Sequence, residues 1–216
     1  MIKYRTILFD LDGTLTDPQV GITRSVQYAL KHMGIMEPDL EKLIYFIGPP
    51  LAASFTECYG MDETQARQAV GYYREYFSQT GIFENAVYPG IGELLAKLRQ
   101  AGRTLAVATS KPGVFANRIL EHFELSGYFH FVAGSNLDGT MVEKTEVIAY
   151  ALQHLPAVDS REVVMIGDRK HDVIGAKKNG IASIAVGYGY GAMDELHAAE
   201  PTSIASTVDE MSAYLL

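Results

Sequence analysis

The chain has 216 residues and is poor in cysteine, in clustered basic residues and in long apolar runs. Its single cysteine, Cys58, excludes an intramolecular disulfide framework and a zinc site built from several thiolates. A lone thiol fits a cytoplasmic protein, and Cys58 is expected to be buried. Lysine and arginine number 18 against 26 acids, a formal charge of −8, with no basic run. A nucleic-acid backbone would be repelled, so nucleic acid is not an expected partner. The opening "MIKYRTILFD" is too short an apolar stretch for a signal peptide, and no later run approaches the length that spans a bilayer. No membrane association is expected. With 48% hydrophobic residues the chain can bury one good core, or one core plus a small appended unit.

What is present falls into two rhythms. After "YRTILF" the segment "DPQVGITRSVQYALKHMG" spaces Val20, Val26, Tyr28, Leu30 and Met33 mainly as a helix closed by Gly34. "PDLEKLIYFIG", "LAASFTECYG" and "DETQARQAVGYYREYFSQTG" read as further helices, interrupted by Gly48-Pro49-Pro50. From Pro89 onward, helical stretches alternate with short β-forming runs such as "RTLAVAT", "EVVMIGD" and "IASIAVG". That alternation predicts an α/β fold, a doubly wound parallel sheet covered on both faces. The first strand, residues 4 to 10, belongs to the same sheet. The expected domains are therefore a core of 1–16 with 84–216 and an inserted all-helical unit of 17–83, with hinges near Thr16–Asp17 and Phe83–Val87.

In open parallel sheets, ligands bind beyond the carboxyl ends of the strands. The first strand ends in "ILFDLDGTLTD", with Asp10 and Asp12 two residues apart and Gly13 opening a turn. "LAVAT" leads into Thr109, Ser110 and Lys111, and "VVMIGD" into Asp168, with Asp172 four residues on. Three or four carboxylates at one edge demand cations, and an all-oxygen set with room for water suits Mg²⁺. Lys144, at the start of the helix in "VEKTEVIAYAL", is a second counter-charge. Such a site accepts a phosphate, which an aspartate can attack. Taken alone, "DLDGT" could be an acidic turn at a strand end. A calcium-binding loop is excluded, because its glycine follows a third acid.

"DLDGTLTD", "VATSK", the lysine of "EKTEV" and "GDRKHD", in this order, resemble the four motifs of the haloacid dehalogenase superfamily of phosphohydrolases. The helical insertion after the first motif, "GPP" within it and the later "GYGYG" are similar to the phosphoglycolate phosphatase-like branch, whose insertion is a mobile cap. The resemblance implies that Asp10 is the nucleophile and also a metal ligand, and that Asp12 is the general acid and base. It implies that Thr109 and the backbone of Ser110 hold phosphate oxygens and that Lys144 screens nucleophile and phosphate. Asp168 would bind Mg²⁺, with Asp172 a further ligand and the backbone carbonyl of Asp12 completing the set. Gly13 would let the backbone turn beside the phosphate. Asn is commoner than Ser at position 110 in this branch. Lys111 could contact phosphate or face solvent, and Gly48 and Pro49 could lie over a small ligand or merely end a helix.

The expected activity is hydrolysis of a small-molecule phosphate ester, phosphoglycolate first and a nucleoside 5′-monophosphate, as for a 5′-nucleotidase, close behind. A sugar phosphomutase of the same superfamily is the main alternative enzyme. A phospho-accepting receiver-type signalling module is disfavoured by the helical insertion and by the acceptor's place on the first strand. Among the insertion's aromatics, Tyr72, Tyr73, Tyr76 and Phe77 are expected to be mostly core. Gly187, Gly189 and Gly191 fail the dinucleotide fingerprint and are expected in a loop against the catalytic edge. Nothing marks an interface, so a monomer is the default.

Overall fold

The computed structural model describes residues 4–157 and 159–216. Six parallel strands form one sheet in the order β5-β4-β1-β6-β7-β8. They are β1 (Thr6–Phe9), β4 (Thr104–Pro112), β5 (Phe131–Ser135), β6 (Val163–Gly167), β7 (Ala182–Val186) and β8 (Ser203–Ala205). Helices α4 (Ile91–Gln100), α5 (Gly113–His122), α6 (Lys144–Gln153), α7 (Lys170–Lys178), α8 (Met193–Ala198) and α9 (Val208–Leu215) flank it. The doubly wound α/β expectation is met.

The central strand reads as a buried one should, since all four residues of β1 are buried. Alternation sends Leu8 to the face where Ala106, Ala108 and Met165 meet Val147, Ile148 and Ala151 of α6 and Ala176 of α7. The small alanines of β4 let α6 lie close, which later matters for Lys144. Strand β1 pairs β4 on one side and β6 on the other. The chain first builds outward from β1 through β4 to β5, then starts again on the far side at β6. That reversal beside β1 opens a crevice at the strands' carboxyl ends.

Contacts divide the chain into two compact units, residues 1–17 with 87–216 and residues 18–86. The second contains α1 (Gln19–His32), α2 (Leu51–Tyr59) and α3 (Glu63–Phe77). Two short strands, β2 (Thr16–Asp17) and β3 (Ala86–Val87), form a separate two-stranded sheet where the chain crosses from one unit to the other. The start of α3 is legible in "DETQ": Asp62 accepts from the Gln65 N–H at 2.9 Å and Gln65 Oε1 accepts from the Asp62 N–H at 3.0 Å. Such a reciprocal cap contributes about 1 kcal/mol. Of the aromatics near its end, Tyr73 and Phe77 are buried and stacked, as expected, with ring centroids 5.2 Å apart. Tyr72 and Tyr76 are half-buried and pack instead against His32 and Tyr28 of α1.

Two expectations are corrected. "PDLEKLIYFIG" is a 3₁₀ segment, Leu40–Phe46, and not an α-helix. Its two buried residues, Leu43 and Phe46, are three apart, the repeat at which 3₁₀ side chains align. The short edge strand β8 carries too few residues to show a period in sequence. Cys58 is exposed, because α2 buries only Ser54 and Phe55. No described helix is long and apolar enough to cross a membrane.

Candidate active site

Asp10 follows β1 directly, and its N–H extends the ladder by donating to Ile166 O at 2.8 Å. Its carboxylate is fixed from two sides. Oδ1 accepts from the Leu11 N–H at 2.7 Å, and Oδ2 lies 2.8 Å from Lys144 Nζ. Lys144 comes from another element: α6 packs Val147, Ile148 and Ala151 on the sheet, so its first residue is driven under the strand ends. There Nζ donates to Ala108 O at 3.0 Å and stands 2.8 Å from Asp172 Oδ1. Burial opposes the lysine's charge, but Asp10 and Asp172 outweigh it and hold the pKa above its ordinary value.

Asp168 follows β6, and Asp172 lies in the first turn of α7. Asp172 Oδ2 caps that helix by accepting from the Arg169 N–H at 3.1 Å. Asp168 Oδ2 accepts from the Tyr190 N–H at 2.7 Å, and Oδ1 lies 3.5 Å from the Thr14 hydroxyl. The approach of the first turn to Asp168 requires glycine at position 13. Its φ is +79°, and a Cβ there would stand 2.2 Å from Asp168 Oδ2. Burial raises the Asp168 pKa well above the usual carboxylate range, and the charges of Asp10 and Asp172 add to this. Burial likewise pushes Asp172 up to about 6, against the pull of Lys144.

One oxygen from each of Asp10, Asp168 and Asp172 lies within 4.8 Å of the others, and all three residues are buried. Among the described residues, Asp172 Oδ1, although close to Lys144, makes no well-aligned hydrogen bond, and Asp12 Oδ1 has no hydrogen-bond partner. A buried, all-oxygen, under-satisfied carboxylate set fits a hard divalent cation.

The structure brings Asp12 together with Lys111, which forms a buried ion pair with Asp12 Oδ2. Burial raises the Asp12 pKa, and Lys111 opposes that rise. Thr109 is buried at the same edge, its hydroxyl oxygen accepting from the Lys111 N–H at 3.2 Å. The Ser110 side chain is committed elsewhere, donating to Val142 O at 2.9 Å, while Ser135 donates to Ser110 O at 2.7 Å. That leaves backbone groups as what position 110 can offer a ligand. Gly48 and Pro49 belong to the helical unit, in the turn before α2, with Gly48 at φ +103°. The "GYGYG" loop lies against this edge as expected, but the sequence pattern does not single out Thr14, Tyr188 and Tyr190, or Asp17 beyond a hinge, whose polar groups meet here.

An α/β sheet that gathers carboxylates and lysines at the crevice beside its central strand defines an enzyme built for an anionic ligand. A model of haloacid dehalogenase-like hydrolases matches residues 7–186. A 5′-nucleotidase of Pseudomonas aeruginosa is 54% identical over 93% of this chain and 90% of its own. Tyrosine-protein kinase PtkA of Mycobacterium tuberculosis is 42% identical over 95% of this chain and 70% of its own. A phosphoglycolate phosphatase of Vibrio parahaemolyticus is 30% identical over 96% and 94%. The crystal structure of a predicted phosphatase from Clostridium acetobutylicum superposes with a TM-score of 0.94 at 50% identity, covering 98% of this chain and 97% of that one. The chain belongs to the haloacid dehalogenase-like hydrolases and is a phosphatase of that family.

Proposed function

We propose that the chain is a Mg²⁺-dependent phosphomonoesterase that works through an aspartyl-phosphate on Asp10. The observation that carries this reading is the buried triad of Asp10, Asp168 and Asp172 with Lys144 within 2.8 Å of two of them. Those carboxylates, with the Asp12 carbonyl, would hold the ion, and Mg²⁺ there supplies positive charge against the phosphoryl oxygens. An oxygen of Asp10 attacks phosphorus as the bond to the ester oxygen breaks. The Asp12 carboxyl gives its proton to that leaving oxygen. Asp12, now a carboxylate, takes a proton from water, whose oxygen attacks phosphorus and breaks the bond to Asp10. Inorganic phosphate leaves and Asp10 is restored. Thr109, backbone N–H groups near Ser110, and Lys144 hold and screen the transferring oxygens. Lys111 keeps Asp12 turned into the site and is within reach of an incoming phosphate.

We assign the helical unit of residues 18–86 the role of a cap that admits substrate when it moves, with Gly48 and Pro49 among its ligand-facing groups. We favour nucleoside 5′-monophosphates ahead of phosphoglycolate as the substrate, a preference supported by the 54% identity to a 5′-nucleotidase against 30% to a phosphoglycolate phosphatase. A second reading is favoured by the 42% identity to PtkA: the aspartyl-phosphate passes to a phenolic oxygen instead of water.

Phosphate release from nucleoside monophosphates, 2-phosphoglycolate and phosphotyrosine, with Mg²⁺ or with chelator, tests these readings. Release only with Mg²⁺, fastest from nucleotides, is the expected result. Chelator-insensitive release would overturn the metal, and retention of label on protein without free phosphate would favour transfer. A pH dependence follows as well. Below about pH 6 Asp172 holds a proton in the folded, metal-free protein, and Asp168 is shifted the same way. Mg²⁺ must displace that proton, so its affinity should fall by up to about tenfold per pH unit below 6 and level off above neutrality. The linkage also has a sign for stability. Asp172 binds its proton more tightly folded than unfolded, so its contribution is present at low pH and is lost as pH rises from 3.8 through about 6, and Asp168 acts in the same direction. Mg²⁺ titrations followed calorimetrically from pH 5 to 8 check the first statement, and a flat profile contradicts it.

A further inference from the structure

The "GYGYG" segment after β7 is not used by the mechanism above, yet it is pressed onto the site. A Cβ at Gly189 would stand 2.4 Å from both Asp168 Cβ and Gly13 O, and one at Gly191 would stand 2.0 Å from Asp168 O. The glycines serve close approach, and the tyrosines between them reach outward. The Tyr188 hydroxyl donates to Thr14 O at 2.9 Å, and its ring meets Tyr88 edge-on at 4.9 Å. Tyr88 lies on the chain's return from the helical insertion, where its N–H donates to Leu15 O at 3.1 Å. The Tyr190 hydroxyl bonds Asp17 Oδ1 and also meets the hydroxyl of Tyr88. Burial raises the pKa of all three phenols, so they remain protonated donors.

Tyr190 therefore makes two bonds in opposite directions. Its N–H donates to Asp168 Oδ2 and its side chain holds Asp17, the last residue of the core before the helical unit begins. We propose that Tyr190 is a positioning residue that ties the metal-binding carboxylate of Asp168 to Asp17, so that one loop both orients the ligand and braces the point where the chain leaves the core. The proposal rests on the Mg²⁺-dependent reading above. Loss of the anchor at Asp17 slackens the loop, and the N–H that orients Asp168 loses its place. Groups that orient a metal's ligands are typically worth 10- to 100-fold in metal affinity.

The test is calorimetric titration of MgCl₂ into the metal-free protein, comparing wild type with Tyr190→Phe, Asp17→Ala, the double variant and Asp168→Asn. Both single variants should weaken Mg²⁺ by roughly tenfold or more. The double variant should be no weaker than the worse single one, since both cut the same tie. Amide exchange at Tyr190, read without metal, should be faster in Asp17→Ala than in wild type. A purely structural tyrosine would lower the melting temperature without moving Mg²⁺ affinity where both proteins are folded. Wild-type affinity in both single variants, or unchanged exchange at Tyr190, overturns the tie and leaves the phosphatase reading intact. If Tyr190→Phe does not fold, Asp17→Ala, which removes the acceptor of the Tyr190 hydroxyl, still decides the matter. Failure of wild type to bind Mg²⁺, or retained affinity in Asp168→Asn, overturns the metal reading instead, and the exchange result then still judges the tie.

Discussion

Asp10→Asn should lower Mg²⁺-dependent phosphate release by on the order of 10⁴-fold or more, with the protein still folded. The amide has the carboxylate's shape but lacks the charged oxygen that forms the bond to phosphorus, so the first step is lost rather than slowed at the margin. The fold should tolerate the change because Lys144 keeps Asp172 and the Ala108 carbonyl as partners. Trapping of acid-precipitated protein labelled with a ³²P ester should give an aspartyl-phosphate in wild type and none in the variant. Activity within tenfold of wild type would remove Asp10 from the nucleophile's role. Labelling that survived in the variant would point to a different acceptor.

The second large effect concerns stability. Lys144→Met should destabilise the metal-free protein by about 3–5 kcal/mol, the usual cost of leaving a buried charge without its partner. The Lys144 side chain is only 4% exposed and stands 2.8 Å from carboxylates of Asp10 and Asp172, themselves 9% and 2% exposed. Removing the ammonium leaves two buried acids facing each other and takes a donor from Ala108 O. At roughly 2–4 °C per kcal/mol for a chain of this size, the melting temperature should fall by about 6–20 °C. Added Mg²⁺ should return part of the loss, because a bound cation replaces the missing charge and binding stabilises the folded state by mass action. A melting temperature within 2 °C of wild type would show that the two carboxylates become protonated at little cost. Release of phosphate should fall as well. The stability effect is separable, because it is read in the absence of substrate.

Much of this protein is written in local pattern. The apolar run of β1, the alternation of helices and β-forming runs after Pro89, and the acids at strand ends identify an α/β fold and its catalytic edge, because strand burial and period are properties of neighbouring residues. Asp10, Asp12 and Gly13 are legible together for the same reason. The 3₁₀ segment at Leu40–Phe46 and the exposure of Cys58 were not legible, since both depend on which neighbours cover a face.

Long-range pairing was decided only in three dimensions. Spacing left Lys111 open between phosphate and solvent, whereas the fold sets it on Asp12 across 99 residues of chain. The Ser110 hydroxyl is drawn to Val142 O, which leaves its backbone for a ligand. Tyr190 and Asp17 are separated by 173 residues, and no period or motif links them. The sequence by itself determined the fold class, the family and the inventory of charged groups, because these rest on residue type and short-range order. The partner of each charge was decided by the tertiary structure, because buried ions must be compensated by whichever elements the sheet order brings to the same edge.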